Sequence, residues 1–92
     1  MKPSIRPTYI NLFVLSHTED AIPTLIRKLE NLCSSIKCKV RNFPSKVLRE
    51  FNYLRIDIVE NNDIEKIRRE VEDIVKHLEG ISWYKIEVII VK

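Results

Sequence analysis

The sequence predicts a single α+β domain, because two kinds of hydrophobic periodicity alternate along its 92 residues. Four segments carry apolar side chains at every second position, which is typical of half-buried strands. Two others carry them at spacings of three and four, which is typical of amphipathic helices. The predicted strands are 8–15, 36–43, 47–59 and 83–91, and the predicted helices are 20–35 and 62–79.

The N-terminal half begins with a short segment that has no periodicity. Residues 1–7 are predicted to form a flexible arm, and residues 8–92 the single domain. The first strand is apolar on both faces, which indicates a central strand. We expect the first helix to start near residues 20–22, because Pro23 then lies in the first turn, where its missing N–H is tolerated. The serines at 34–35 end this helix.

Residues 43–52 admit two interpretations. In the first, Pro44 and Ser45 form the tip of a hairpin, and residues 47–51 extend the third strand. In the second, Ser45 caps a short helical turn. We favour the extended hairpin.

The C-terminal half repeats the strand–helix–strand pattern. Asn62 is placed to cap the second helix, and Gly80 to end it. Two interleaved strand–helix–strand crossovers predict a ferredoxin-like βαββαβ sandwich, with a four-stranded antiparallel sheet and both helices on one face. The other face of the sheet is open, and we expect function to lie there.

The two cysteines are predicted to be buried free thiols. Cys33 falls on the apolar stripe of the first helix, and Cys38 on the apolar side of the next strand. Their spacing matches neither a zinc knuckle nor a redox motif. No apolar run approaches the roughly 20 residues that span a bilayer, and no signal peptide is evident. We therefore expect a cytoplasmic protein that does not bind membranes.

The composition is typical of a thermophilic, archaeal-like source. The chain has one glycine, no glutamine and many Ile, Lys, Glu and Arg residues, although its six asparagines count against this interpretation.

No motif indicates an enzyme. His17 lies beside Ser16 and near Glu19, but nothing in the sequence fixes the geometry that a catalytic triad needs. His77 lies at the boundary of the second helix's apolar stripe, and the two histidines together with Cys33 and Cys38 lack the spacing of metal ligands. A single glycine, Gly80, excludes a phosphate-binding glycine-rich loop. We expect no catalytic residue, no metal and no cofactor.

The open face supports two hypotheses. Aromatic rings interleaved with cations are how RNA-recognition sheets stack bases. The nucleic-acid-binding candidates are Tyr9, Lys37, Lys39, Arg41, Tyr53 and Arg55. Residues 9–12 resemble the first ribonucleoprotein motif of that family, but residues 52–55 lack both glycines of the family's basic-Gly-aromatic-Gly-aromatic pattern in the third strand.

The favoured hypothesis is a protein interface on the open face or the last strand's edge, in a homodimer or a complex. Exposed apolar area mixed with Trp, Tyr, Phe and Arg is typical of protein contacts. The interface candidates are Phe13, Leu15, Val59, Trp83, Ile89 and Val91.

One stretch resembles a known family. Leu54-Arg-Ile-Asp-Ile-Val, followed by Asp63-Ile-x-x-Ile-Arg68, is similar to the small dimerisation subunit of the KEOPS tRNA-modification complex. The resemblance implies a non-catalytic subunit that dimerises and supports a tRNA-threonylcarbamoylation enzyme, with the basic hairpin near RNA. The chain departs from the family's Ala-x-x-Asn-Ser after the arginine, and its last strand is additional.

A small-molecule-sensing domain of the ACT type is a further alternative. Its sites usually use a glycine in the first loop, and residues 16–20 contain none.

Overall fold

A computed structural model describes residues 8–48, 50–58 and 64–90 of the protein. The predicted element order is confirmed, and the fold is of the α+β class. The predicted N-terminal arm, residues 1–7, lies outside the described residues, as do Val59, Val91 and the predicted helix cap Asn62. The elements are β1 (Thr8–Ser16), α1 (Ala21–Ile36), β2 (Cys38–Pro44), β3 (Phe51–Ile58), α2 (Ile64–Lys76) and β4 (Ile81–Ile90).

The four strands form one antiparallel sheet in the order β2-β3-β1-β4. β1 and β3 are therefore central, and β2 and β4 are the two edges. An open four-stranded antiparallel sheet with two helices is consistent with the predicted ferredoxin-like layout.

Both helices cover the same face of this sheet. Alternate residues of β1 and β3 point toward them, and these positions are almost completely buried because apolar side chains of α1 and α2 pack over them. The side chains on this face of the central strands are Ile10, Leu12, Val14, Leu54, Ile56 and Ile58, and the helices contribute Leu25, Leu29, Val71 and Val75 among others. The opposite face carries no helix in the described part of the chain.

The end of α1 differs from the prediction. The helix continues past the two serines to Ile36, and within it the Ser35 hydroxyl donates a hydrogen bond of 2.9 Å to the Leu32 carbonyl. Lys37 then adopts a left-handed conformation (φ 57°, ψ 66°), and its N–H donates to the Cys33 carbonyl. Ile36 and Lys37 are therefore not part of β2, which begins at Cys38.

The favoured extended hairpin is wrong for residues 47, 48 and 50, and residue 49 lies outside the described residues. β3 begins only at Phe51, and the Ser45 hydroxyl accepts hydrogen bonds from the N–H groups of Val47 at 3.1 Å and Leu48 at 3.0 Å. The register of β2 with β3 ends at Pro44, beyond which the Ser45 N–H donates one further hydrogen bond of 3.2 Å to the Phe51 carbonyl. The alternative, in which Ser45 caps a short helical turn, is correct only for the capping hydrogen bonds, because Lys46 and Val47 form bends and not a helical turn.

The prediction of free thiols is also wrong. Cys33 and Cys38 form a disulfide with a Cα–Cα distance of 4.5 Å, so the protein has no free cysteine. The left-handed turn at Lys37 reverses the chain and brings the last turn of α1 beside the first residue of β2. The bond joins the first helix to an edge strand.

The disulfide removes one argument for a cytoplasmic location. Disulfides persist in oxidising compartments and in intracellular proteins of hyperthermophiles. The cytoplasmic location stays a prediction. No helix among the described residues is long and apolar enough to cross a membrane.

Gly80 does not end α2, contrary to the prediction. The helix ends at Lys76, and Gly80 lies in the turn before β4 with φ 97°. Its carbonyl accepts a hydrogen bond of 2.7 Å from the His17 N–H, which joins this turn to the loop after β1. A Cβ atom at this position would collide with Thr18 Oγ1 and lie 2.9 Å from Ala21 Cβ.

We expect Gly80→Ala to lower the free energy of unfolding by about 1–2 kcal/mol, because it combines an unfavourable φ with this close approach. Urea unfolding measures the change. Glu79→Ala, at the exposed preceding residue, is the matched control and should lie within about 0.5 kcal/mol of the wild type. Equal effects of the two substitutions would contradict the role of Gly80.

Candidate functional site

The open face of the sheet divides into two halves, which follow from the strand register. At the end nearer the β2–β3 loop lies the aromatic half: Phe13, Leu15, Phe43, Phe51, Tyr53 and Trp83. At the other end lies the charged half: Tyr9, Asn11, Lys39, Arg41, Arg55 and Asp57. On β1, β2 and β3 the stacked rings are thus separated along the strands from the charged side chains, whereas on β4 Lys85 lies opposite Phe13 and Glu87 opposite Asn11.

The aromatic half is held together by stacked rings. Tyr53 lies between Phe43 and Phe13, with ring centroids 5.3 and 5.1 Å apart and interplanar angles of 22° and 18°. Phe51 stacks diagonally on Phe13 at 6.2 Å. These separations are close to the distance between neighbouring strands, because the rings stand side by side on adjacent strands. Both faces of the Tyr53 ring are occupied by protein.

The Tyr53 hydroxyl is also engaged. It donates a hydrogen bond of 2.5 Å to Asn11 Oδ1, at the boundary between the two halves. The ring is therefore fixed at its two faces and at its tip.

The charged half is organised around Asp57. Its Oδ1 accepts a hydrogen bond of 2.9 Å from Arg55 Nε, and its buried Oδ2 lies 3.2 Å from Arg41 Nε in an ion pair without hydrogen-bond geometry. Arg41 and Arg55 are directly opposite each other on β2 and β3, so the carboxylate offsets their repulsion.

Arg55 also covers an aromatic ring. Its guanidinium carbon lies 3.8 Å from the centroid of the Tyr9 ring, in a cation–π contact. One face of Tyr9 and the charge of Arg55 are thus both engaged within the protein.

Several apolar groups remain exposed around the aromatic half. Phe43 and Trp83 are 45% and 48% exposed, and in the neighbouring β2–β3 loop Leu48 is 54% and Val47 90% exposed. Phe43 lies on the edge strand β2 and Trp83 on the edge strand β4, so the exposed apolar surface reaches both edges of the sheet.

The edge strand β4 presents alternating charged and apolar side chains. On the open face, Lys85 Nζ lies 3.4 Å from Glu87 Oε2. On the helix side, the Tyr84 hydroxyl donates to Glu72 Oε2 of α2 at 3.1 Å. Burial first, and then the Glu72 carboxylate, raise the pKa of Tyr84 above its ordinary value. This contact attaches β4 to α2.

The predicted interface residues are only partly brought together. Phe13, Leu15 and Trp83 share the aromatic half, with Leu15 between Phe51 and Trp83 in the register. Ile89 lies at the other end of β4, opposite Tyr9. Val59 and Val91 lie outside the described residues.

The predicted nucleic-acid-binding residues separate in the same way. Tyr9, Lys39, Arg41 and Arg55 gather in the charged half, whereas Tyr53 belongs to the stacked rings. Lys37 lies in the turn after α1 and not in the strand that carries the other cations.

Sequence reasoning missed Phe43 and Phe51 as members of the face. Both lie in the segment whose conformation was ambiguous. The sequence nevertheless indicates their positions, because residues an even number apart in a strand share a face. Phe43 is therefore on the face of Lys39 and Arg41, and Phe51 on the face of Tyr53. The neutralising role of Asp57 has no sequence signal, because it depends on which strands are neighbours.

A shallow cleft lies beside the loop after β1. Its lining includes the buried Ser16 and Asn52, together with His17, Glu19 and Glu50. No glycine in the β1–α1 loop brings backbone N–H groups toward a ligand, so nothing here favours the ACT-type alternative. Among the described residues, no group of three or more His, Cys, Asp or Glu side chains is placed to hold a metal ion.

Comparison with known proteins gives no family assignment. No family model matches the sequence, and no curated protein matches it.

Proposed function

We propose that the protein is a non-enzymatic interaction domain of ferredoxin-like layout, a dimerisation module or small subunit, which uses the open sheet face and the β4 edge to bind protein. The observation that carries this proposal is the stacking of Tyr53 between Phe13 and Phe43.

The stacked rings disfavour base recognition. A base stacks on an aromatic side chain only where a ring face is accessible. Tyr53 has no free face, and Tyr9 has one face under Arg55. A base stacked on either face of Tyr53 would separate a ring pair worth about 0.5–1.5 kcal/mol.

The same geometry favours protein contacts. The rings form a rigid surface, and the partly exposed Phe43 and Trp83 extend it to both sheet edges. Rigid aromatic anchors lose little conformational entropy on binding and are enriched at the centres of protein interfaces.

The resemblance of residues 54–78 to the KEOPS dimerisation subunit provides one specific context for this proposal. In that context the domain would dimerise and support a tRNA-modifying enzyme without contributing catalytic groups.

RNA binding through the charged half is the second candidate. It is supported by Lys39 and Arg41, which are exposed on the edge strand β2. Three cations, Lys39, Arg41 and Arg55, lie around the carboxylate of Asp57 there. Such a site would contact phosphates rather than bases, and its affinity would fall steeply with salt.

We expect Trp83→Ser to weaken self-association of the protein by roughly tenfold or more, because it removes an exposed aromatic anchor. Light scattering during size-exclusion chromatography, over a series of protein concentrations, measures the association. Circular dichroism verifies that the variant is folded.

Lys39→Glu combined with Arg41→Glu is the control. We expect it to leave self-association unchanged and to abolish any binding of labelled tRNA at low salt. Self-association that survives Trp83→Ser, together with RNA binding that the double charge reversal removes, would favour the second candidate over the first.

A further inference from the structure

The two edges of the sheet differ in their capacity to pair with another strand. β4 runs without proline from Ile81 to Ile90, and no strand among the described residues pairs with its outer side. β2 is shorter and ends at Pro44. A long unblocked edge with apolar side chains is a template for strand addition, whereas proline and like charges block one.

β4 is also incompletely covered on its helix side. Tyr84, Ile86 and Val88 are only half-buried, although their neighbours in β1 are fully buried. A strand added to this edge, together with its helix layer, would cover these side chains further.

Antiparallel pairing of β4 with a second copy of itself is restricted to a few registers. Directly opposed side chains of antiparallel strands point to the same face of the sheet. The open face therefore continues from one copy to the other only if odd-numbered residues oppose odd-numbered residues. This arrangement requires the two-fold axis to pass through a residue and not between two residues. With the axis at Ile86, Lys85 faces the partner's Glu87, and Glu87 faces the partner's Lys85. The register thus places opposite charges against each other twice.

Neighbouring registers lose these contacts. An axis at Lys85 opposes two lysines, and an axis at Glu87 opposes two glutamates. Directly opposed like charges destabilise a strand pair. An axis at Tyr84 sets Lys85 against Trp83, and shifts toward the C-terminus set Glu87 against apolar side chains.

The apolar side chains agree with the Ile86 register. In this register Trp83 lies opposite the partner's Ile89, and Tyr84 lies opposite the partner's Val88. The two-fold axis repeats both contacts. Aromatic and β-branched side chains form favourable cross-strand pairs. The half-exposed Trp83 indole gains an apolar neighbour in this arrangement.

The β2 edge has no comparable register. With an axis at Val40, Lys39 would face the partner's Arg41, and an axis at either cation would oppose two identical charges. These three registers therefore place like charges against each other, which destabilises the pairing.

We propose that two copies of the protein associate through β4, antiparallel and with Ile86 on the two-fold axis, to form a continuous eight-stranded sheet. The inference rests on the proposed interaction role and names its partner as a second copy. Both aromatic halves lie on the same side of the joined sheet, so a dimer presents two copies of that surface to a further partner.

Charge reversal tests the register. Lys85 and Glu87 have side chains 57% and 40% exposed, so the variants should fold. Lys85→Glu or Glu87→Lys alone replaces two attractive pairs with two repulsive ones, and we expect dimerisation to weaken by roughly tenfold or more. The double variant restores opposite charges in the same register, and we expect it to dimerise like the wild type. Sedimentation equilibrium measures all four proteins.

Cross-linking tests the contact directly. A carbodiimide joins amines to carboxylates without a spacer, and a mixture of ¹⁵N-labelled and unlabelled protein distinguishes bonds between copies from those within one. We expect peptides in which Lys85 of one isotopic form is bonded to Glu87 of the other.

The possible results distinguish the proposed β4 register from the proposed interaction role. A wild-type dimer whose double charge variant stays as weak as the single variants overturns the β4 register and leaves the interaction role intact. A wild-type chain that is monomeric at every concentration overturns the β4 dimer. If that monomer also binds tRNA through Lys39 and Arg41, the proposed interaction role fails as well.

Discussion

Tyr53→Ala is expected to lower the free energy of unfolding by about 3 kcal/mol. The substitution removes two ring stacks, each worth about 0.5–1.5 kcal/mol, and a hydrogen bond worth about 1 kcal/mol. Tyr53→Phe keeps both stacks and loses only the bond to Asn11, so it should cost about 1 kcal/mol. Urea unfolding of the three proteins measures the series.

The series also discriminates between the two proposed functions. If the Tyr53 ring serves the protein's own packing, stability falls in the order wild type, Phe, Ala, and the affinity for single-stranded RNA does not follow that order. An Ala variant as stable as the wild type that has lost RNA binding would contradict the stacked-ring interpretation. Tyr9→Ala is the matched control, since its ring contacts Arg55 and not another aromatic ring.

The sequence predicts the structure correctly where a single hydrophobic periodicity determines which face of a strand each side chain occupies. Alternation in residues 8–15 and 53–58 places Ile10 and Leu54 under the helices and Tyr9 and Tyr53 on the open face, because a strand has only two faces. The pairing of β1 with β3 and β4 then brings residues distant in sequence onto one surface. The fold class and most of the candidate face follow from this pattern alone.

The prediction failed where short-range chemistry overrides periodicity. Val47 could continue an alternating strand, but the Ser45 hydroxyl bonds the loop N–H groups and keeps this segment out of the sheet. Ile36 fits either a strand or the end of a helix. The left-handed turn at Lys37 makes Ile36 the last residue of the helix, and no composition rule predicts such a turn at a lysine.

The cysteine prediction failed for a related reason. Spacing excludes known metal and redox motifs, but it does not exclude a bond between a helix end and the next strand. That bond depends on the chain reversal at Lys37, which brings the two Cα atoms to 4.5 Å. This distance lies within the range that a disulfide requires.

Loss of this disulfide is expected to lower the free energy of unfolding by about 2–3 kcal/mol, because the cross-link closes a short loop and restricts the unfolded chain. Cys33→Ser combined with Cys38→Ser removes it permanently, and a reducing agent removes it from the wild type. Urea unfolding with and without the reductant measures both. Cys33 is 6% exposed, so Cys33→Ala with Cys38→Ala separates the loss of the bond from the cost of burying a hydroxyl.

The reductant provides the decisive control. It should destabilise the wild type and leave both double variants unchanged, since they have no bond to lose. A wild type that is equally stable in both conditions would contradict the structural role of the bond. Because the disulfide joins α1 to β2, and β4 lies at the opposite edge of the sheet, its reduction should leave the β4-mediated dimer intact while the domain stays folded.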